Sequence, residues 1–404
     1  MTGIARRTVS ALPRDLYVVA AARAVSVLGT GITLTALLLR LHDSGAGGWT
    51  IAGLLAAATL PMIVLAPVVG LLVDRYDSRM LIIASGLWQA GACLLLAFVG
   101  NPAAVLALVA ASALGTAMIV PVFGALTPLL VPDARLAEAT SVQQGGHVVA
   151  VLAGPPIGGL LTGATGGARV PLLVAAASFV AVVVPALLIA ARRRPVRGAS
   201  RPRIREGVTV LYADRAVAIA AALAILLTLN MHVTGVAQVF LVRDTFRSSA
   251  LAYGLLSATQ TLGVLFGTTL AGRLRTPRRL LVACLLTAFV TGCCHAGVGL
   301  SPVLAAVFVL YLVAGVGFGM ASNASTTLAL LRTPRQAIGR ALAGLTGLLR
   351  SAALVGQGIG GLVLGPLAPR GVYVLSGALV LAAVLTLALT RAAAVRKAAA
   401  PIPP

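Results

Sequence analysis

Residues 202 positions apart repeat one another along this chain of 404 residues. Gly154-Pro155-Pro156-Ile157-Gly158-Gly159-Leu160 stands against Gly356-Gln357-Gly358-Ile359-Gly360-Gly361-Leu362, and Val131-Pro132 against Thr333-Pro334. In the same register Gly70, Gly115, Met118 and Gly163 fall on Gly272, Gly317, Met320 and Gly365. Identities kept at one spacing over about a hundred residues mark a duplicated architecture. In a chain this apolar, a parallel repeat predicts two membrane-embedded halves of the same topology with a binding site between them.

The apolar content sets what each half is made of. Hydrophobic residues form 59% of the sequence and charged ones only 10%, which excludes an ordinary soluble domain. Twelve apolar stretches approach the ~20 residues that cross a bilayer. They run over 16–40, 50–72, 80–99, 103–130, 139–164, 170–190, 215–242, 251–272, 280–300, 303–331, 339–364 and 371–390. In lipid such stretches must be helical, because each backbone polar group needs an internal partner. The expected fold is therefore all-α and integral to the membrane, with twelve helices in two pseudo-symmetric six-helix bundles. The division expected is 1–191, a basic cytoplasmic linker over 192–214, and 215–404. The linker carries Arg192-Arg193-Arg194-Pro195 and has no apolar surface to bury.

A net charge of +22 suggests nucleic-acid binding until its distribution is read. With both termini inside, 24 of the 31 Lys and Arg residues fall on the cytoplasmic side. Five (Arg40, Arg169, Arg243, Arg247, Arg370) fall outside, and Arg23 and Arg350 fall within helices. This is the positive-inside asymmetry of a multi-pass inner-membrane protein, so no nucleic-acid partner is expected. Cys93, Cys284, Cys293 and Cys294 lie in apolar stretches without metal-ligand spacing. The four His are scattered, so neither a metal nor a cofactor is expected. No clustered nucleophile or carboxylate pair is present to support an enzyme.

Between the second and third stretches the chain reads Gly70-Leu71-Leu72-Val73-Asp74-Arg75-Tyr76-Asp77-Ser78-Arg79. This resembles the signature loop of the major facilitator superfamily, Gly-x-Leu-x-Asp-Arg-x-Gly-Arg-Arg, with Asp77 and Ser78 departing from it. The second-half copy, Gly272-Arg273-Leu274-Arg275-Thr276-Pro277-Arg278-Arg279, keeps the basic residues and loses the Asp. Gly154-Pro155-x-x-Gly158-Gly159 resembles the end of the Gly-Pro motif of exporters in that superfamily, although Ala150 stands where glycine is usual. A plain helix-packing role competes with that reading, because the second half repeats the pattern. Ala22-Arg23-x-x-Ser26-x-Leu28-Gly29 resembles the first helix of the enterobactin-exporter and macrolide-efflux branch.

The resemblance implies a secondary transporter working by alternating access, exporting small amphipathic molecules such as drugs or secondary metabolites. A siderophore exporter or an importer of the same fold stays open as the alternative. It implies a conformational latch at Gly70, Asp74, Arg75 and Arg79, in which the carboxylate faces a helix N-terminus of the opposite half. It also implies a cavity lined by the first, fourth, seventh and tenth helices. Arg23, Thr30 and Thr33 fall on one face of the first helix; Asn230, Thr234 and Gln238 recur at i, i+4 and i+8 on the seventh. Together with Asn323 and Arg350 these are the candidate cavity residues.

All nine acidic residues (Asp15, Asp43, Asp74, Asp77, Asp133, Glu138, Glu206, Asp214, Asp244) lie at helix ends or in loops. No carboxylate at membrane depth is available to relay protons. If protons are the coupling ion, His147 and His232 are the candidate carriers. The partners expected are a small-molecule substrate and the lipid bilayer, with the protein a monomer.

Overall fold

The computed structural model describes residues 13–188, 211, 214–334 and 337–398. The expected linker over 192–214 lies outside the described residues except for Leu211 and Asp214. The first half contains α1 (Arg14–Asp43), α2a (Gly48–Val64) with α2b (Ala66–Arg75), α3 (Ser78–Leu96) and α4 (Pro102–Leu130). It continues with α5 (Leu136–Thr165) and α6a (Arg169–Ala181) with α6b (Val183–Leu188). The second half contains α7 (Arg215–Phe240), α8 (Ala250–Ala271), α9 (Pro277–Leu300), α10 (Leu304–Arg332), α11 (Ile338–Val363) and α12 (Pro369–Ala398).

Short polar side chains set several helix starts. Asp77, Asn101, Asp214, Ser249 and Thr276 each accept a backbone N–H at the first turn of α3, α4, α7, α8 and α9. The second span differs from a single expected helix: it breaks at Leu65 into α2a and α2b. Pro67 has no N–H to give the Ile63 carbonyl, so the helical ladder is interrupted there. Eleven helices of the described residues are long and apolar enough to span a bilayer, and the 17-residue α2a completes the twelfth span with α2b.

The repeated glycines show why the register was kept. A β-carbon on Gly154 would stand 3.2 Å from the Leu28 carbonyl oxygen of α1, and one on Gly356 would stand 2.5 Å from the Leu229 oxygen of α7. Helices α5 and α11 therefore pack backbone to backbone on the first helix of their own half. The next glycines join the halves. A β-carbon on Gly159 would stand 2.4 Å from the Ala250 oxygen of α8, and one on Gly361 would stand 3.2 Å from the Gly48 oxygen of α2a. Ala250 and Gly48 are themselves 202 residues apart. Two contacts related by the repeat, α5 on α8 and α2a on α11, thus hold the bundles together.

Candidate functional site

Both inter-half contacts lie toward the end opposite the basic loops, where an ion-pair clasp reinforces them. His42, in the last turn of α1, places Nε2 2.9 Å from Asp244 and Nδ1 3.1 Å from Asp43. Arg243 reaches Asp43 at 3.1 Å. Arg243 and Asp244 ride on a π-helical turn, Leu241–Thr245, that ends α7. Such turns re-aim side chains that a regular helix would direct elsewhere. None of these four residues was singled out in the sequence, although His42 and Asp244 stand in the repeat register.

On the basic side Arg79 of the latch contacts its own half. Arg79 hydrogen-bonds the Leu187 carbonyl of α6b, and its N–H is capped by Asp77 at 2.8 Å. Arg75 is exposed at the end of α2b. Gly70 and Asp74 lie in α2b, and the Asp74 side chain is outside the described residues. The halves meet at the outer end.

A cavity of about 90 Å³, partly open to solvent, lies within the first half. Thr30, Thr33, Leu34 and Leu37 of α1, Ala58 and Met62 of α2a, Ser112, Ala113 and Thr116 of α4, and Phe179 of α6a form its walls. It is mainly apolar with a few hydroxyls, the composition of a small-molecule site. Thr33 is tied to the Gly29 carbonyl at 2.8 Å and lies 3.4 Å from Cys93 Sγ, whereas Thr30 bonds the Ser26 carbonyl at 3.0 Å.

The two halves differ in how the helices related by the repeat pack near the pocket. In the second half α8 and α10 touch through glycines: β-carbons on Gly263 and Gly319 would stand 2.2 and 2.1 Å from the carbonyl oxygens of Leu312 and Val264. The repeat puts Pro61 and Ala117 at these positions in α2a and α4. Neither position is glycine, so α2a and α4 lack the backbone-to-backbone contact that joins α8 and α10 there.

The expected lining residues divide accordingly. Asn230 is buried and donates from Nδ2 to the Ser376 carbonyl of α12 at 2.9 Å. Thr234 bonds the Asn230 carbonyl at 2.9 Å and its own carbonyl accepts the Tyr373 hydroxyl at 3.0 Å. Gln238 donates to Ser257 of α8 at 2.9 Å. These three side chains are used inside the second half. Asn323 accepts from Thr327 at 3.2 Å.

The two arginines at membrane depth behave differently. Arg23 is half-buried and donates to Gln143 Oε1 of α5 at 3.3 Å, while Gln143 donates to Thr127 of α4 at 2.6 Å. His147, one turn along α5 from Gln143, has a buried Nδ1 without a partner. Arg350 is exposed and crosses from α11 to the Met62 carbonyl of α2a at 3.4 Å. Gln357 on the same face of α11 sits 3.4 Å from both Thr59 and His232 Nδ1, so a polar junction links α2a, α11 and α7. Gln143, Thr59, Met62, Ser112 and Thr116 were missed in the sequence. Only the i, i+4 spacing of Gln143 with His147 hinted at one of them.

Comparison with known proteins agrees with this architecture. The sequence pattern of the Major Facilitator Superfamily matches residues 19–237 and 219–404. Macrolide efflux protein A of Streptococcus pyogenes is 27% identical over 150 residues, 36% of this chain and 37% of that protein, so the chain spans little more than a third of that relative. The uncharacterized MFS-type transporter YfiS of Bacillus subtilis (strain 168) is 23% identical over 362 residues, 87% of each chain. Among solved structures, a bacterial homolog to the human lysosomal transporter Spinster, inward-facing and unoccupied, superposes with a TM-score of 0.72 at 17% identity over 93% of this chain and 95% of that one. The nucleoside transporter NupG superposes with a TM-score of 0.69 at 14% identity over 94% and 99%. With twelve spans, an internal repeat and a pattern match along nearly its whole length, this multi-pass membrane protein belongs to the Major Facilitator Superfamily.

Proposed function

We propose that the protein is a secondary transporter of the cell (inner) membrane that exports small amphipathic molecules by alternating access. The observation that carries the reading is the pairing of a sealed outer end with a mainly apolar pocket. The clasp of His42, Asp43, Arg243 and Asp244 and the glycine contacts close one side, while the pocket beside Thr30 and Met62 gives an apolar molecule a place to bind. The partial similarity to a macrolide efflux protein favours export over import. On this reading Gly70, Asp74, Arg75 and Arg79 form the inner latch that engages when the halves rock. Gly154, Pro155, Gly158 and Gly159 are the hinge-side packing of α5.

Coupling to protons belongs to the same proposal. His232 stands at the junction with Gln357 and Thr59, where its protonation would be felt by both halves. His147 stands beside the Arg23 cluster with an unpartnered ring nitrogen. The test is reconstitution of the monomer in liposomes, following efflux of anionic, neutral and cationic amphipathic dyes with and without an imposed pH gradient. Gradient-driven movement supports antiport; movement indifferent to the gradient supports facilitated diffusion and removes the histidines from coupling. No movement of any dye would overturn the efflux reading.

A further inference from the structure

Among the described residues, the pocket walls carry no carboxylate, and two arginines, Arg23 and Arg350, stand at their edge. Arg23 lies on the α1 face that lines the pocket, at i−7 from Thr30, i−10 from Thr33 and i−11 from Leu34. It is therefore about 10 Å along the helix from Thr30, on the side of the basic loops. Arg350 shares a face of α11 with Gln357 and Gly361, opposite the exposed apolar row of Val355, Ile359 and Leu362. Its exposure is thus toward the space between the halves, and the carbonyl it contacts belongs to Met62 of the pocket wall.

Neither guanidinium meets a carboxylate among the described residues. Each is held by one neutral oxygen, at 3.3 Å for Arg23 and 3.4 Å for Arg350. A guanidinium has five N–H donors, so both keep donors in reserve. The acidic side chains that are described sit elsewhere. Asp15 and Glu138 sit in first helical turns, Asp77 and Asp214 cap helices, and Asp133 lies in a short 3₁₀ turn. Asp43 and Asp244 form the outer clasp, Asp74 ends α2b, and Glu206 lies outside the described residues. Placing unneutralised arginine at membrane depth is costly, and an anionic ligand relieves that cost where a cationic one adds to it.

We infer that the molecule carried is an amphipathic carboxylate, its apolar body between α2a and α4 and its acid group drawn to Arg350 and Arg23, and that organic cations are disfavoured. This rests on the transporter reading and narrows its substrate class. A planar carboxylate suits the guanidinium fork, which can hold both oxygens at once.

The test compares two xanthene dyes of similar body and opposite charge, fluorescein and rhodamine 6G. Equilibrium binding to the full-length purified protein is followed by fluorescence polarisation, and transport in proteoliposomes. Fluorescein should bind at least about tenfold more tightly than rhodamine 6G. Arg350→Gln and Arg23→Gln should each narrow that ratio, whereas Arg350→Lys keeps most of it. Equal or tighter binding of rhodamine 6G, or a ratio unmoved in both glutamine variants, would overturn the inference. Transport of rhodamine 6G without an anion preference would overturn it too while leaving the transporter reading standing. If neither dye moves but the binding preference holds, the charge inference survives and the transport reading is the one that falls. Because the wild-type ratio needs no variant, poor folding of either mutant does not block the decision.

Discussion

His42 Nε2 and the Asp244 carboxylate stand 2.9 Å apart, and 202 residues, the repeat length, separate them in sequence. The two residues are one position of the ancestral half met twice. In the first copy it bears a base and in the second an acid, so the pseudo-symmetric ends of α1 and α7 attract each other.

Loosening that clasp should release the outer end. Asp244→Asn and Asp43→Asn each weaken partly exposed pairs whose worth is roughly 0.2–1 kcal/mol. Removing both should raise the population with a separated outer end by about two- to thirtyfold. Distances between spin labels on the outer ends of α1 and α7 would report it; an unchanged distance distribution would leave the glycine contacts as the sole seal.

Those contacts can be tested by adding one methyl group. Gly159→Ala and Gly254→Ala would put a β-carbon 2.4 and 2.3 Å from the Ala250 and Pro155 oxygens. Helices α5 and α8 must then part, a strain of about 1–3 kcal/mol. Thermal unfolding in detergent should fall by several degrees for both. Gly358→Ala, which meets nothing within 4 Å, serves as the unchanged control.

Filling the pocket should stop transport without unfolding the protein. Ala113→Leu and Ser112→Leu project into the space beside Met62 and Thr30, and dye efflux should drop at least about tenfold while the melting temperature stays within a few degrees. Asn230→Ala should do the reverse. It deletes the bond to Ser376, lowers stability by roughly 1 kcal/mol, and leaves dye selectivity alone.

The latch predicts a third pattern. Asp74→Asn should reach the membrane in normal amount and transport much more slowly, because a helix-terminus contact of ~0.3–1 kcal/mol biases two states of similar energy. Wild-type transport in that variant would remove Asp74 from the mechanism.

The spans were legible because crossing a bilayer demands length and apolarity, which composition displays directly. Gly154, Gly159 and Gly361 were legible as a repeated packing pattern, though their two different partners, α1 or α7 and the opposite half, were not. Periodicity placed Asn230, Thr234 and Gln238 on one face of α7. It could not reveal that α12 and α8 supply their partners. The break at Leu65 was not read from the stretch over 50–72, because hydropathy runs through it unbroken while Pro67 removes the donor that a continuous helix needs. The outer clasp was hidden because it joins residues at two loop edges, where hydropathy carries no signal.

The pocket walls all belong to one half, and that has a thermodynamic consequence. A passenger held only by α1, α2a, α4 and α6a would ride with that half as a rigid body and meet the same walls in every orientation. Equal affinity for two states shifts neither, however tight the grip. From the other half, Arg350 contacts the backbone carbonyl of the wall residue Met62. On the proposed mechanism, that contact would let occupancy be felt as torque between the bundles.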